Sequence, residues 1–406
     1  MDLPFGSSLG GGGRLSELGL GSRAVIGYDE EMDTSDLLRP TELGLYCETG
    51  DFYVDPWRPV PRAVVTHAHA DHACWGCGRY LTSSEGQRVL QVRMGREAIV
   101  DSVPFGETVD LNGVKVSLHP AGHILGSAQV RLEHRGEIWV VSGDYKVEPD
   151  ATCTPFETVR CHTFVTESTF GLPIYRWPSQ QTVFDEINAW WRSNRDAGKA
   201  SLLLGYALGK SQRLLSGLDP SIGPILTHGA VEKLNRAYRE GGINLPPTAY
   251  AGTATKGKSW AGVMVVAPPS AHGTPWARKF APLSTGIASG WMTIRGTRRR
   301  KALDRGFVLS DHVDWPGLLG SVAATGASRV LVTHGYTSVV VKWLREQGLQ
   351  AEVLATRYEG ERDDGGGEAG DLGEGDLGGA ATLGEVASEV DAALDPSTSD
   401  ETEDDA

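Results

Sequence analysis

The residues with the clearest chemical potential form one short cluster, His67-Ala-His69-Ala-Asp71-His72. Its alanine spacers are small, so a single turn of the chain can aim several of these side chains at one point. Neutral imidazole and carboxylate are ligands that suit zinc, manganese and iron(II) in proteins. The cluster therefore predicts a metal site rather than a solvated polar loop.

Further ionisable residues stand just after short apolar segments elsewhere in the chain. Four of them are placed in this way, namely Asp144, Glu167, His312 and His334. His123 lies instead in a glycine-rich turn, Ala-Gly-His123-Ile-Leu-Gly-Ser. Functional groups gather at the carboxyl ends of strands in α/β proteins, so we expect these residues to join the cluster.

The elements that would position these residues are short apolar runs, many of them rich in β-branched or aromatic residues and bounded by Gly, Pro or polar residues. Such runs predict buried strands at residues 63–65, 138–141, 163–165, 202–204, 263–266, 307–309 and 330–332. Helical patterns lie at residues 182–195, 209–218, 230–239 and 338–347. This mixture predicts the α/β fold class.

The number of candidate ligands favours two metal ions over one. A catalytic zinc ion takes three protein ligands and keeps one position open. The candidates exceed that number: His67, His69, Asp71, His72, His123, Asp144 and His334. Two ions about 3.5–4 Å apart are a standard device for phosphodiester cleavage, because together they generate hydroxide near neutral pH and stabilise the attacking and leaving oxygens.

With these residues in place, the chain resembles the β-CASP branch of the metallo-β-lactamase superfamily, and within it the bacterial ligase-associated DNA exonucleases. The resemblance rests on Asp55 in Tyr-Val-Asp-Pro, the cluster at 67–72, His123, Asp144 in Ser-Gly-Asp-Tyr-Lys, Glu167 in Thr-Glu-Ser-Thr-Phe-Gly, His312 and His334. It implies an αββα sandwich with an inserted β-CASP cap domain. The implied divisions are a flexible glycine-rich leader at 1–40, the metallo-β-lactamase domain at 41–177 and 291–358, the cap at 178–290, and a disordered acidic tail at 359–406.

The resemblance also implies a role for each site residue. One ion would bind His67, His69 and His123, the other Asp71, His72 and His334, and Asp144 would bridge them. His312 would give a proton to the leaving oxygen, and Glu167 would orient His312. Asp55 would brace the ligand loop from behind the metal ligands. The residues expected to take part in catalysis are thus Asp71, Asp144, Glu167 and His312, with zinc as the expected metal and manganese as its alternative.

Nucleic-acid contacts are predicted at two places. One is a basic segment before the strand at 307–309, with Arg295, Arg298, Arg299, Arg300 and Lys301, which suits phosphates but also fits a solvated helix face. The other is Gly205-Tyr-Ala-Leu-Gly-Lys-Ser211, one residue shorter than a P-loop, so ATP binding is not expected. A helix that begins there could still receive a backbone phosphate, assisted by Lys210 and Arg213.

Composition sets the remaining limits. The chain has 406 residues and a formal net charge of −14, but residues 359–406 hold 17 acidic side chains and one arginine. The other residues therefore carry a net charge of +2, and a polyanionic substrate is not excluded. The odd number of cysteines, five, indicates reduced thiols. There is no apolar run of about 18 residues and no signal-peptide pattern, so we expect a cytoplasmic protein without membrane contact.

The predicted function is a metal-dependent phosphodiesterase that acts as a DNA exonuclease in DNA repair, with a functional link to an ATP-dependent DNA ligase. The alternative is a β-CASP ribonuclease in RNA 3′-end processing, because eukaryotic members with a histidine at the position of His334 tend to act on RNA. A catalytically silent scaffold is disfavoured because every ligand position is filled. A small-molecule hydrolase is disfavoured because a cap and a basic segment suit an extended strand.

Overall fold

The computed structural model describes residues 36–254, 259–294 and 303–356. These ranges belong to one compact unit of the chain, and they contain three β-sheets. The predicted acidic tail and residues 1–35 of the predicted leader lie outside them. Among the described residues, none of the helices combines the length and the apolar character needed to cross a bilayer.

The first sheet is built by the N-terminal part of the described chain, and its strands are neighbours in sequence order. Its first two pairings are antiparallel and the other three are parallel. The strands are β1 (Arg39–Thr41), β2 (Gly44–Cys47), β3 (Phe52–Val54), β4 (Arg62–Val64), β5 (Arg79–Ser83) and β6 (Val100–Val103).

The second sheet combines an antiparallel half with a parallel half, in the order β19-β18-β11-β10-β9-β8-β7. Strands β10, β11, β18 and β19 are parallel to one another. The strands are β7 (Thr108–Leu111), β8 (Val114–Pro120), β9 (Ala128–His134), β10 (Glu137–Val141), β11 (Thr163–Glu167), β18 (Arg329–Thr333) and β19 (Gln350–Val353).

The third sheet is entirely parallel and has the order β14-β13-β15-β12-β16-β17. Its strands are β12 (Ala200–Leu204), β13 (Ile225–Thr227), β14 (Ala249–Tyr250), β15 (Met264–Ala267), β16 (Leu283–Ala288) and β17 (Arg305–Phe307). Parallel sheets are usually covered on both faces, which explains the unbroken apolar runs of β12 and β15.

The α-helices of the described ranges match the predicted helical patterns where a pattern was found. They are α1 (Gln87–Met94), α2 (Gln180–Asp196), α3 (Lys210–Gly217), α4 (Gly229–Glu240), α5 (Trp315–Thr325) and α6 (Thr337–Glu346). Capping residues fix several of their ends. Ser179 caps α2, and Asp314 caps α5, which then ends at Gly326 in the left-handed conformation.

Alternation of side chains along the strands creates the layers of the fold. In β4, Val64 packs into the core shared by the first two sheets, whereas Ala63 faces the core that contains α1, α2, α3 and α4. In β10, Trp139 packs into the shared core, whereas Val140 faces α5 and α6. Two sheets therefore pack face to face with helices outside them, and the α/β class predicted from the sequence is confirmed.

Two details differ from the sequence-based prediction. The strand expected at 307–309 lies two residues earlier, as β17, and pairs with β16 in the third sheet. The last part of the predicted leader, residues 36–40, is also ordered. Leu37 and Leu38 are buried in the core between the first two sheets, and Asp36 forms a bidentate ion pair with Arg329 at 2.6 and 3.1 Å.

Candidate metal centre

The candidate site lies where strand ends of the first two sheets meet. Asp55 follows β3, and His67 opens the loop after β4. In the second sheet, Asp144 follows β10, Glu167 ends β11, and His334 follows β18. Within each sheet these strands run parallel, so their carboxyl ends share one edge. This arrangement brings together residues that are far apart in sequence.

Two further residues reach the site from loops. His123 lies in the turn between β8 and β9, where Gly122 and Gly126 have φ angles of 71° and 73°, a conformation that favours glycine. His312 lies beyond β17, and its carbonyl oxygen accepts a hydrogen bond from Trp177 Nε1 at 2.9 Å. Both residues therefore arrive on segments held in a defined shape.

The first ligand group consists of His67, His69 and His123, which point ring nitrogens at a common centre. His69 Nδ1 lies 3.0 Å from His67 Nε2 and 3.1 Å from His123 Nε2. Nitrogens that bind one tetrahedral zinc ion at about 2.0–2.1 Å stand about 3.3 Å apart. The spacing of the three nitrogens therefore fits a shared cation.

The outer nitrogens of this group show which nitrogens are available to a metal. His69 Nε2 donates to the carbonyl oxygen of Leu208 at 3.2 Å, and His123 Nδ1 donates to the carbonyl oxygen of Asp311 at 2.8 Å. A carbonyl can only accept, so each outer nitrogen carries the ring hydrogen. The inner nitrogens then carry lone pairs, which cannot bond to one another and are suited to a cation.

Asp55 braces the ligand loop through three hydrogen bonds. Its carboxylate accepts from Thr66 N at 2.8 Å, from Thr66 Oγ1 at 2.6 Å and from His72 Nδ1 at 2.7 Å. Thr66 Oγ1 also lies 3.1 Å from His67 Nδ1. Asp55 thereby orients one imidazole directly and a second through a hydroxyl group, as is usual behind metal-binding histidines.

The second ligand group consists of Asp71, His72 and His334, whose candidate ligand atoms all lie within 4.8 Å of one another. The rings of His72 and His334 stack at 5.3 Å with an interplanar angle of 15°. His72 Nε2 and His334 Nδ1 are buried without a hydrogen-bond partner among the described residues. Buried polar atoms normally have a partner, so these two atoms indicate a missing one.

Asp144 lies between the two ligand groups. Its Oδ2 is 3.6 Å from His67 Nε2 in the first group and 3.4 Å from His72 Nε2 in the second. Its Oδ1 is buried without a hydrogen-bond partner among the described residues. A carboxylate so placed can be shared by cations held in the two groups.

Glu167 and His312 form a buried pair beside Asp144. His312 Nδ1 lies 2.8 Å from Glu167 Oε2 and 3.1 Å from Glu167 Oε1. Glu167 Oε1 also accepts a hydrogen bond from the main-chain nitrogen of Tyr145 at 2.9 Å. The glutamate therefore fixes the ring of His312, and a histidine held in this way is a competent general acid.

Burial keeps most of the imidazoles neutral. The pKa of His67 and the pKa of His123 lie well below the usual value because burial disfavours the charged form and neighbouring imidazolium charges oppose it. Burial also lowers the pKa of His69 and that of His334. Neutral imidazole is the form that binds metals.

The exception is His72, which lies among carboxylates. Burial alone would lower the pKa of His72, but Asp144, Asp71 and Asp55 raise it well above its usual value. Burial would raise the pKa of Asp144, but His72 and His312 lower it well below its usual value. A proton on His72 thus balances the carboxylates, and a divalent cation would replace that proton.

The residues at this site fit divalent cations by three independent criteria. The donor set is imidazole and carboxylate, the outer nitrogens are fixed by acceptors, and three inner atoms are buried without partners among the described residues. A cavity of about 30 Å³ is lined by residues that include Asp71, His72, Asp144, Glu167 and His334. The structure thus brings together all seven ligand candidates predicted from the sequence.

The two residues predicted to assist a phosphate at the start of α3 are placed differently. Lys210 and Arg213 are each only 1% exposed. Both form ion pairs with Asp311, at 3.2 Å and 3.1 Å respectively. Their charges are thus neutralised inside the protein, which corrects the prediction of contact with nucleic acid. The other predicted contacts, Arg295, Arg298, Arg299, Arg300 and Lys301, lie outside the described residues.

One candidate residue, Arg93, was missed by the sequence analysis. It lies in the last turn of α1, and its Nε is buried without a hydrogen-bond partner among the described residues. Burial is the main influence on the pKa of His69 and lowers it, and the charge of Arg93 lowers it further. An arginine on a short helix carries no sequence signal that separates it from a solvated one.

No family model matches the chain. A probable DNA ligase from Opitutus terrae is 34% identical over 314 residues, which is 77% of this chain and 30% of the ligase. Endoribonuclease YSH1 from Yarrowia lipolytica and its counterpart from Saccharomyces cerevisiae are each 31% identical over 124 residues, 30% of this chain and 14% or 15% of those proteins. The matched part of the chain spans less than a third of each relative.

Among solved structures, a protein of unknown function from Enterococcus faecalis has a TM-score of 0.50 and 12% sequence identity. The match covers 73% of this chain and 79% of that protein, and it shows a similar fold. The sequence relatives support a nuclease-type member of the metallo-β-lactamase superfamily. Together with the histidine and aspartate cluster, they indicate that the site binds divalent metal.

Proposed function

We propose that this protein is a metal-dependent phosphodiesterase that removes nucleotides from the ends of DNA during DNA repair. The observation that carries the proposal is the pair of ligand groups on either side of Asp144, with Glu167 and His312 beside them. Two adjacent metal sites are a standard device for phosphodiester hydrolysis. Similarity to endoribonucleases supports a nuclease, and similarity to a probable DNA ligase supports a DNA substrate and a functional link to ATP-dependent ligation.

In this proposal one cation is held by the first ligand group and another by the second, with Asp144 between them. Imidazole and carboxylate suit zinc, with manganese as the alternative. The bound cations would supply activation of water and stabilisation of negative charge at phosphorus. The protein would hold the ligands in place through Asp55 and through the carbonyl groups of Leu208 and Asp311.

The proton for the leaving oxygen would come from His312. Its Nδ1 is engaged by Glu167 at 2.8 Å, so Nε2 is the nitrogen that would hold and donate the proton. Glu167 would orient the ring and stabilise the imidazolium form before transfer. A cavity of about 100 Å³ is lined by His312 and Trp177, among others, and would give the departing group room.

Phosphate recognition would fall to cations near the metal centre rather than to α3. Arg93 is a candidate among the described residues, because its charge lowers the pKa of His69 and its Nε is buried without a partner in the described ranges. An arginine can bind two phosphate oxygens at once. Arg295, Arg298, Arg299, Arg300 and Lys301 also remain proposed contacts with the nucleic acid.

Strands β12 to β16 of the third sheet and helices α2, α3 and α4 would form the β-CASP cap at residues 178–290, and β17 would add a strand to that sheet from the returning part of the chain. The hydrogen bond from His69 to the carbonyl oxygen of Leu208 links this region directly to the first ligand group. A cap in this place would leave a cleft along the metal centre, which suits an extended strand better than a compact small molecule.

An RNA substrate is the second candidate. Two observations favour it: the similarity to endoribonucleases, and the histidine at position 334 in the second ligand group. In that case the same ligands and the same Glu167–His312 pair would act in RNA 3′-end processing.

The test is a digest of end-labelled single-stranded DNA, duplex DNA and RNA of one sequence, each with zinc, manganese or magnesium. We expect stepwise shortening of DNA by the wild-type protein and none by His69→Ala, which removes a ligand of the first group. His134→Ala is the matched control, because the side chain of that histidine bonds to the carbonyl oxygen of Gly113, outside the site.

Each outcome of the digest decides between the candidates. Cleavage of RNA alone would replace the DNA proposal with the ribonuclease. Absence of cleavage of any strand, with metal bound, would reject both and direct attention to small-molecule hydrolysis. Equal loss of activity in His69→Ala and His134→Ala would mean that the loss is not specific to the metal centre.

A further inference from the structure

A network of buried charges joins α3 to the metal centre. Lys210 and Arg213 on α3 meet Asp311, and Arg213 also meets Asp150, which in turn pairs with Lys146. Lys210, Arg213 and Lys146 are each 1% exposed, so these cations interact with buried carboxylates rather than with bulk water. Removing these charges from water carries a desolvation cost, which the ion pairs offset only when their geometry is good. The geometry of the network therefore bears on its role.

The bonds of the network converge on the main chain just before His312. Lys210 Nζ donates to the carbonyl oxygen of Leu309 at 2.9 Å and lies 3.2 Å from Asp311 Oδ2. Arg213 Nη1 donates to the carbonyl oxygen of Ser310 at 2.5 Å and lies 3.1 Å from Asp311 Oδ1. Two cations therefore hold three consecutive residues from one side, at both main chain and side chain.

The same segment lies against both a metal-ligand candidate and the proposed proton donor. The carbonyl oxygen of Asp311 accepts the Nδ1 hydrogen of His123, which belongs to the first ligand group. The next residue, His312, is the partner of Glu167. A shift of this segment would thus misplace a metal ligand and the proposed proton donor together.

We propose that Lys210 and Arg213 are positioning residues that set the orientation of His123 and His312 through Asp311 and its neighbours. The role at His312 rests on the proposed function, whereas the role at His123 concerns metal binding and stands independently of it. Through these residues, α3 would influence the metal affinity of the site. This role also gives a reason for a lysine and an arginine to be buried at this point, although removing their charges from water carries a desolvation cost.

The test compares three variants. Two are single changes, Lys210→Met and Lys210→Arg. The third is a charge-balanced pair that carries both Lys210→Met and Asp311→Asn. The matched control is Arg192→Met. Arg192 lies on the neighbouring helix α2 and forms an exposed ion pair with Asp219. For each full-length protein we would measure zinc affinity by chelator competition, the spectrum of the cobalt-substituted site, kcat and KM on labelled DNA, and the unfolding temperature.

We expect Lys210→Met to weaken metal binding and to lower kcat, each by about 10–100-fold, as loss of a group behind metal-binding histidines usually does. KM should change little, because Lys210 is buried and does not contact substrate. Lys210→Arg should restore part of both losses, and the cobalt spectrum of Lys210→Met should differ from that of the wild type. Arg192→Met should match the wild type.

A folded Lys210→Met protein with wild-type zinc affinity, cobalt spectrum and kcat would overturn the proposal. If Lys210→Met does not fold, the same readouts on the charge-balanced pair decide the question, since that variant leaves no unpaired aspartate charge. A wild-type protein that binds zinc but cleaves no nucleic acid would reject the proposed function alone, and the zinc affinities would still test the positioning role.

Discussion

Asp55 shows how much a single residue outside the metal ligands can determine. Its carboxylate holds Thr66 and the outer nitrogen of His72 with bonds of 2.6–2.8 Å. Asp55→Asn replaces one accepting oxygen by a donor, so either Thr66 or His72 loses its acceptor. We expect metal affinity to fall about 10–100-fold, measured by chelator competition.

The control for this change is Asp196→Asn, at a side chain that is 68% exposed and remote from the cluster. It should leave metal affinity unchanged. An Asp55→Asn protein that binds metal like the wild type would show that the ligand loop keeps its shape without the carboxylate.

Arg93 supports a second prediction at the scale of one residue. Loss of a charged hydrogen bond to phosphate costs about 1.5–3 kcal/mol, so Arg93→Ala should lower kcat/KM on nucleic acid about 10–100-fold. Metal content, measured by mass spectrometry, should not change, because Arg93 is not among the metal-ligand candidates. Arg93→Lys should recover part of the loss.

Arg96→Ala is the matched control, since Arg96 is an exposed arginine three residues further along the chain. If both alanine variants lose activity to the same degree, the effect reflects the general charge of this surface. If neither does, Arg93 has no part in substrate binding.

Individual site residues could be predicted from the sequence to different degrees. His67, His69, Asp71 and His72 were recognisable because four ligand-type residues stand within one short segment. The buried environment of Lys210 was not recognisable from the sequence, because its partner Asp311 lies about a hundred positions away. Whether a lysine faces solvent or a buried carboxylate depends on such distant pairings, which composition and spacing do not encode.

At the scale of elements, the loop before α3 gives a sharp prediction. Gly209 has a φ of 84°, and a Cβ added to it would lie 2.2 Å from Ile124 Cγ2. Gly209→Ala should therefore lower the unfolding temperature, since the positive φ alone costs about 1–2 kcal/mol. It should also weaken metal binding, because the neighbouring carbonyl group of Leu208 holds His69.

Gly198→Ala is the matched control for the backbone strain. Gly198 has a φ of 70°, but an added Cβ would have no neighbour within 4 Å. This variant should lose stability and keep metal affinity. Equal metal affinity in the two variants would mean that the close contact with Ile124 does not change the position of His69.

The elements themselves were largely predictable, but their assembly was not. Buried strands such as β12 and β15 follow from short apolar runs, and α2 follows from its helical pattern and from Ser179 as its cap. The strand before His312 was placed two residues late because Leu309 continues the apolar pattern beyond the end of β17. The pairing of β17 with β16 depends on long-range contacts, which local periodicity does not reveal.

Across the whole molecule, burial should control the reactivity of the thiols. Burial raises the pKa of Cys47 and that of Cys161 to about 11 and that of Cys153 to about 12. A raised pKa means fewer thiolates at pH 8, and Cys77 is buried as well. Iodoacetamide at pH 8 should therefore label Cys74 first, as read by mass spectrometry.

Unfolding is the control for the thiol experiment, because all five cysteines should then react at similar rates. Rapid labelling of Cys153 in the folded protein would show that the region beside Gly122 opens in solution, since the thiol donates to that residue's carbonyl oxygen at 3.3 Å.

The distribution of charge along the chain gives a prediction at the same scale. Residues 359–406 account for the whole of the net charge of −14, and without them the chain carries +2. A chain that ends at residue 358 should bind nucleic acid more tightly at low salt, and the difference should vanish at high salt. Fluorescence anisotropy against salt concentration measures this effect.

A full-length chain with its acidic residues after 358 changed to asparagine and glutamine is the matched control, since it keeps the length and removes the charge. It should behave like the shortened chain. If it binds like the wild type, the tail acts through its bulk and not through its charge.

The two ligand groups differ in when they can exist during protein synthesis. His67, His69, His123 and Asp144 have all been made once the first 144 residues are synthesised, whereas the second group waits for His334. His123 also waits for its acceptor, the carbonyl group of Asp311. A nascent chain can therefore offer only a loosely held half-site to passing metal ions. The second group is complete only after residue 334 has been made, and a product that terminates before that residue lacks one of its members.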